Sequence, residues 1–568
     1  MIEKQILAGI EAEMKTTPEP LKVSAIRYIV EQNYLKIFFN PRTLNHQKLD
    51  EAEGASVSWP NLVGEATIHS VDLKPGQECL IISGYTDSPP KVGDEIQITF
   101  PCYLRALHSA WSQSDWASLC LERLDQITRA NQFDPETVLN PDGFAKLRTQ
   151  QKTAFQLAGW STSFLWGPPG TGKTTVTGAL IGQFLVQFPH SRILVISNTN
   201  HAVDQLLVMV DKALEHMSQT QTEVQAIRPR CIRIGTHFNP VSYKKREHLI
   251  CRGKWQGSPL PKFDNPFAQA RLVALTTTRA IQSLNDLRQA GEFDWLVFDE
   301  AGQIGLSQAI TLLPLAKKAL FAGDPRQLGP IHKARNPEAE VWLGTSVFDR
   351  VHFDQPWICF LDEQSRMASP ICAVVSELFY GNQLNLAADC EGSSMWHQGR
   401  QLDPALLFNR SVQQLSVTGS AVNSIRYGGY IRSESARVIS QAVQDLKAAG
   451  LPEKHMVVVT PYRAQQKLIR EYLRQKECQC VAVLTIHRAQ GGEWHTVLFD
   501  PVDGKNSFFH GKSACRLVNV AMSRAKARFL VTLSQTDCQN VILRELSVAI
   551  AEQEILAASR PADPAVAA

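Results

Sequence analysis

The chain has 568 residues, 44% hydrophobic and 8% aromatic, with a net charge of only +3. That length allows about four domains of ~150 residues with buried cores, and the near-neutral balance excludes a global field for nucleic acid, so such a partner must be held by local patches. The absence of an apolar run of about 18 residues and of a basic-then-apolar leader argues against a membrane span or export. The twelve cysteines are scattered, with a Cys478-Gln-Cys480 pair but no Cys-x-x-Cys, so reduced thiols and a cytoplasmic address are expected rather than a disulfide frame or a zinc site.

In chain order, residues 1–17 read as an amphipathic helix. Residues 18–102 change to β character: short runs at 34–39, 64–69, 79–83 and 95–100 are separated by turn formers such as Lys74-Pro-Gly76, which predicts a small barrel. Residues 103–135 read as a helical stalk carrying Trp111 and Trp116. Those rings could stack on bases, but packing against the barrel is the expected role.

From residue 136 strands and helices alternate, and they do so again from about 456, the pattern of parallel sheets covered on both faces. Two α/β domains in series are expected, 136–350 and 351–552, with an insertion at about 206–270. A disordered tail is expected over 553–568.

The first α/β unit holds Gly167-Pro-Pro-Gly-Thr-Gly-Lys-Thr174 between an apolar run and a helix-forming stretch. Its glycines let backbone N–H groups curl around phosphates at the positive end of the following helix. Gly167, Pro168, Pro169, Gly170, Thr171, Gly172, Lys173, Thr174 and Thr175 are therefore expected to bind a nucleoside triphosphate. Lys173 reaches the β/γ-phosphates and the Thr174 hydroxyl holds Mg²⁺.

Trp295-Leu-Val-Phe298 runs into Asp299 and Glu300. Asp299 can complete the Mg²⁺ site and Glu300 can orient and deprotonate the attacking water. Gln327, in the strand-to-loop element Phe321–Pro330, can sense the γ-phosphate. Arg366 and Arg524, from the second unit, can neutralise charge on the transferred phosphoryl group.

This series of motifs, with Gln364-Ser-Arg-Met367, Thr460-Pro-Tyr-Arg-Ala-Gln465, Gln490-Gly-Gly-Glu493 and Val518–Lys526, resembles superfamily 1 helicases, most closely the branch that contains the nonsense-mediated-decay RNA helicase. The resemblance covers about residues 147–528. It implies two RecA-like domains that sandwich ATP and move along a single strand, typically 5′ to 3′, preceded by a β-barrel on a helical stalk.

It further implies that Gln151 reads adenine and that Glu493 contacts the ribose or the γ-phosphate side. Thr199, Asn200, Thr276, Thr277 and the neighbouring Thr278 would hold the nucleic-acid backbone from the first domain, and Thr460, Pro461 and Thr485 from the second, through contacts that ignore base identity. Departures are Ser365, where a tyrosine usually stacks on the base, Ala489 and Gly492, and His487 in place of a frequent aspartate. His487 can contact a phosphate or sit as a satisfied polar histidine. Basic residues of the insertion, Arg228, Arg230, Arg233 and Lys244 to Arg246 around Tyr243, can form a path for a strand or a solvated loop.

The expected function is an ATP-driven helicase or translocase working as a monomer on single-stranded DNA or RNA, with DNA preferred. A nucleic-acid clamp that does not unwind is the alternative, and a protein-remodelling ATPase the second alternative.

Overall fold

The computed structural model describes residues 2–559 except 18–20, 31–34, 40–54, 63–65, 73–78, 84–87, 100–102, 130, 220–221, 236–237, 239, 251–264, 403–407, 504–508 and 510. Its centre is two parallel sheets. In the first, Ile358–Phe360, Thr162–Trp166, Ala316–Gly323, Phe293–Asp299, Ile193–Ser197, Leu272–Thr276 and Cys231–Arg233 lie side by side in that order. In the second the order is Val412–Ser416, Ala525–Leu533, Trp494–Phe499, Met456–Thr460 and Ala482–Thr485.

Strands this apolar need cover on both faces, because alternate residues point opposite ways. Leu194 and Ile196 enter one core of the first sheet while Ile193 and Val195 enter the other. Val457 and Val459 likewise part from Met456 and Val458 across the second sheet.

Ahead of the first sheet, Leu21–Val30, Leu35–Phe39, Cys79–Ser83, Ala66–Asp72, Ser56–Ser58 and Glu95–Thr99 close into an antiparallel barrel. The stalk is two helices, Tyr103–Trp111 and Ser114–Arg129, rather than one. Trp111 and Trp116 are buried, but not against the barrel. Their indole N–H groups donate to the Thr311 hydroxyl at 2.8 Å and the Thr311 carbonyl at 3.2 Å, so they dock the stalk onto the helix Leu306–Leu312. The first helix, Ile2–Met14, adds Ile6 and Ile10 to the same core, and the Glu13 carboxylate accepts from the backbone N–H groups of Lys333 and Ala334.

Three further expectations change. The edge strand Ile358–Phe360 lies beyond Arg350 yet pairs with Phe164–Trp166 of the first sheet, because its apolar side chains close that edge. Residues 553–559, expected as disordered tail, continue the helix Val541–Ser559, and Glu554 pairs there with Arg410 at 3.3 Å. Residues 560–568 lie outside the described residues.

The insertion is the third. Three of its arginines turn inward onto the helix Asn200–Met217. Arg228 forks onto Asp211 at 2.8 and 2.9 Å, Arg233 Nε donates to Asp204 at 2.8 Å, and Tyr243 Oη donates to Asp204 at 2.8 Å. Arg246 pairs with Asp211 and Glu215. Arg233, Asp204 and Asp211 are buried, and buried charges persist only when paired. This cluster is neither a strand path nor a solvated loop; Arg230, Lys244 and Lys245 stay outside it.

Among the described residues no helix is long and apolar enough to cross a membrane.

Candidate nucleotide site and strand-facing edge

The carboxyl edge of the first sheet collects the chemistry. The loop 167–172 leaves Thr162–Trp166 and enters the helix Lys173–Gln187. Gly170 and Gly172 adopt φ of +78° and +79°, which residues with a Cβ avoid. A Cβ on Gly170 would lie 2.6 Å from Arg366 Cβ, so the loop and the Gln364–Met367 segment touch directly.

Lys173 Nζ donates to Asp299 Oδ1 and to Glu300 Oε1, both at 2.8 Å. Burial works against the lysine charge, but the two carboxylates hold its pKa above the ordinary value. The pair splits: burial, with Glu300 beside it, raises Asp299, whereas Lys173 and Arg524 outweigh burial at Glu300 and keep it below the carboxylate range. Glu300 is therefore the stronger acid. It sits at φ +52°, a left-handed backbone that costs a non-glycine residue about 1–3 kcal/mol and clusters at active sites.

Two carboxylates on the lysine stand where phosphate oxygens would compete for it. Thr174, at the helix start, and Asp299, at a strand end, carry hard oxygens of the kind Mg²⁺ takes. Gln151, from the helix Thr149–Thr153, donates to the Thr171 carbonyl of the loop at 2.8 Å.

The second lobe supplies the remaining charges. Glu493 and Arg524 precede adjacent strands, and the Trp494 N–H donates to the Arg524 carbonyl at 2.9 Å. Arg524 is 3% exposed, and its Nη2 donates to Gln327 Oε1 at 3.0 Å. Burial and the nearby Arg366 pull its pKa down to about 9, so it stays cationic at neutral pH. Arg366 pairs with Glu493 at 3.0 Å, and Lys526 reaches the same carboxylate at 2.6 Å. Burial acts against the Glu493 charge, but these cations hold its pKa below the ordinary value.

The strand-contact candidates lie further along the same carboxyl edge of the first sheet or on that of the second. Ser197 and Thr276 end adjacent strands in register, as do Thr460 and Thr485 in the other lobe. The two lobes thus carry matching hydroxyl-bearing strand ends.

Individual side chains divide. Thr199 and Thr276 accept from backbone N–H groups of Ala202 and Arg279 as helix caps. Asn200 Oδ1 accepts from Arg233 at 2.6 Å. Thr278 and Pro461 are half-buried and His487 is exposed. Thr460 is fully buried, and its hydroxyl has no hydrogen-bond partner among the described residues. Thr277 is a correction: it is buried and its Oγ1 donates to the Ser197 carbonyl at 3.2 Å, so it braces the edge from within, whereas its neighbours stand nearer solvent.

Sequence reasoning missed Asp324, Tyr380 and Asn519, which meet behind Gln327. Asp324 lay inside the very element that pointed to Gln327. Trp396 was missed as well: its indole N–H donates to the Ser365 carbonyl at 2.7 Å, and Arg400 stacks 4.1 Å from its ring.

Two models described as AAA domain match the chain, one over residues 146–252 and 263–335 and the other over 343–536. The DNA polymerase alpha-associated DNA helicase A of Schizosaccharomyces pombe is 26% identical over 428 residues, 68% of this chain and 63% of that protein. The DNA replication ATP-dependent helicase/nuclease dna2 of the same yeast is 24% identical over 451 residues, 74% of this chain and 30% of that protein. The RNA helicase Mov10l1 of Mus musculus is 25% identical over 475 residues, 74% of this chain and 36% of that protein. The chain thus spans less than two thirds of each. Among solved structures, the Arterivirus nonstructural protein 10 (helicase) complex with DNA aligns with a TM-score of 0.42 at 11% identity, over 95% of this chain and 82% of that one.

Proposed function

The chain belongs to the superfamily 1 helicases, ATP-dependent enzymes of nucleic acid, and from that premise we propose that it hydrolyses ATP between its two lobes to move along a single strand as a monomer, with DNA preferred. The observation that carries the reading is Arg524 of the second lobe resting 3.0 Å from Gln327 of the first. A site whose cations come from two lobes is complete only when they close.

In this reading Lys173 leaves the carboxylates for the β/γ-phosphates, and Glu300, freed of the lysine, orients and deprotonates the attacking water. Arg366 and Arg524 neutralise charge on the phosphoryl group. Thr174 and Asp299 would hold Mg²⁺, which when bound neutralises phosphate charge. Thr276 and Thr485, half-buried at the strand ends of the two lobes, grip the sugar-phosphate backbone, so a change in lobe spacing alters the grip.

Strand displacement on tailed DNA and RNA duplexes with either overhang tests this. ATP-dependent displacement of 5′-tailed DNA is expected. ATP turnover stimulated by single strands without displacement would mark a clamp, and turnover indifferent to both nucleic acids would contradict the proposal.

A further inference from the structure

An amide has one accepting end and one donating end, and only its partners tell them apart. At Gln327 both partners are unambiguous. Asp324 Oδ2 accepts from Gln327 Nε2 at 2.8 Å, and Arg524 Nη2, which can only donate, meets Gln327 Oε1 at 3.0 Å. The carbonyl of Gln327 therefore faces the second lobe, and a carbonyl oxygen is the wrong partner for a phosphate oxygen.

Asp324 is 3% exposed and is held by neutral donors: Trp166 Nε1 at 3.1 Å, the Arg326 backbone N–H at 3.0 Å, Gln327 Nε2 and, closest, Tyr380 Oη at 2.6 Å. Tyr380 ends the helix Ser369–Tyr380 of the second lobe. Its oxygen accepts from Asn519 Nδ2 at 2.9 Å, and Asn519 Nδ2 also donates to the Arg326 carbonyl at 2.8 Å. One chain of hydrogen bonds thus leaves the second lobe at Asn519 and Tyr380, turns at Asp324 and Gln327 in the first, and returns to the second at Arg524.

We propose that Tyr380 and Asp324 are positioning residues that set the Gln327 amide so that its carbonyl carries the Arg524 guanidinium toward the phosphate end of the site. The inference rests on the proposed ATP-driven motor and gives Gln327 a task there other than phosphate contact. Because the chain crosses between the lobes twice, it forms only when they meet, and Arg524 is aimed only then.

The test is a double-mutant cycle on ATP turnover of the full chain, with and without single-stranded DNA. Tyr380→Phe deletes one oxygen and keeps the ring. It is expected to lower kcat about tenfold, a loss that misplacement alone can produce, with the KM for ATP held within about twofold. In a Gln327→Ala background, where the link is already cut, the same change should alter kcat by less than about twofold. Equal losses in both backgrounds, or an unchanged kcat in Tyr380→Phe, would overturn the proposal.

A second pair of variants does not depend on how well Tyr380→Phe folds. Gln327→Glu alone sets a carboxylate against Asp324 where Nε2 now donates and should fall to the level of Gln327→Leu, whereas adding Asp324→Asn restores a donor opposite the acceptor and should recover activity; no recovery would overturn the proposal. If neither DNA nor RNA stimulates the wild type, the motor reading fails, and the cycle is still read on the unstimulated turnover.

Discussion

Lys173 holds two offices, and they can be separated. In this state it neutralises Asp299 and Glu300; with ATP bound it is proposed to neutralise phosphates. Lys173→Ala should abolish hydrolysis and also lower stability, because removing one partner of a buried pair costs about 3–5 kcal/mol. The sign of the pH dependence follows from Asp299, whose pKa burial already raises and which then lacks its offsetting cation. A carboxyl raised by folding favours the folded state while protonated and opposes it once ionised. The destabilisation should therefore grow as pH rises through the folded pKa of Asp299. Thermal unfolding of both proteins across a pH series checks it, and a constant difference would mean the carboxylates find other partners.

At this scale the phosphate loop and its acids were legible because their spacing is the chemistry. Asp324 and Tyr380 were not, since 56 residues separate the two partners of a 2.6 Å hydrogen bond.

Among elements, the helix Asn200–Met217 shows how a charge run misleads. Arg228, Arg233 and Arg246 look like an electrostatic path until the acids opposite them are seen. The signal was present, because Asp204, Asp211 and Glu215 recur at i, i+7 and i+11 on one helical face. Arg246→Gln should therefore lower the thermal midpoint while leaving the affinity for single-stranded DNA and its salt slope nearly unchanged. A slope reduced by about 0.7, the value for one phosphate contact on a single strand, would return the residue to the strand path.

The stalk makes the matching case. Trp111→Ala removes a buried indole and its bond to Thr311, so it should destabilise the protein by about 3–5 kcal/mol. Chemical denaturation measures it, and a loss below about 1 kcal/mol would mean the stalk does not depend on this dock. The edge strands Cys231–Arg233 and Ile358–Phe360 were missed because three residues carry too little period. Their neighbours in the sheet, not their own sequence, make them strands.

For the whole molecule, alternation of apolar runs and helices revealed two parallel sheets, and the turn-rich start revealed a barrel, since those patterns follow from burial alone. How the lobes meet was not readable. Trp166 and Leu328 of the first lobe lie within the core cluster of the second, and Arg516 reaches across to the Pro325 carbonyl at 3.1 Å. This contact layer brings Arg524 beside Gln327 and the matching strand ends into one molecule, and the proposed motor depends on it. The most direct test is steady-state ATP turnover at saturating single-stranded DNA for wild type and Arg524→Ala. The account predicts a kcat lower by about 10³ or more with ATP affinity nearly intact; a kcat unchanged by the substitution would contradict it.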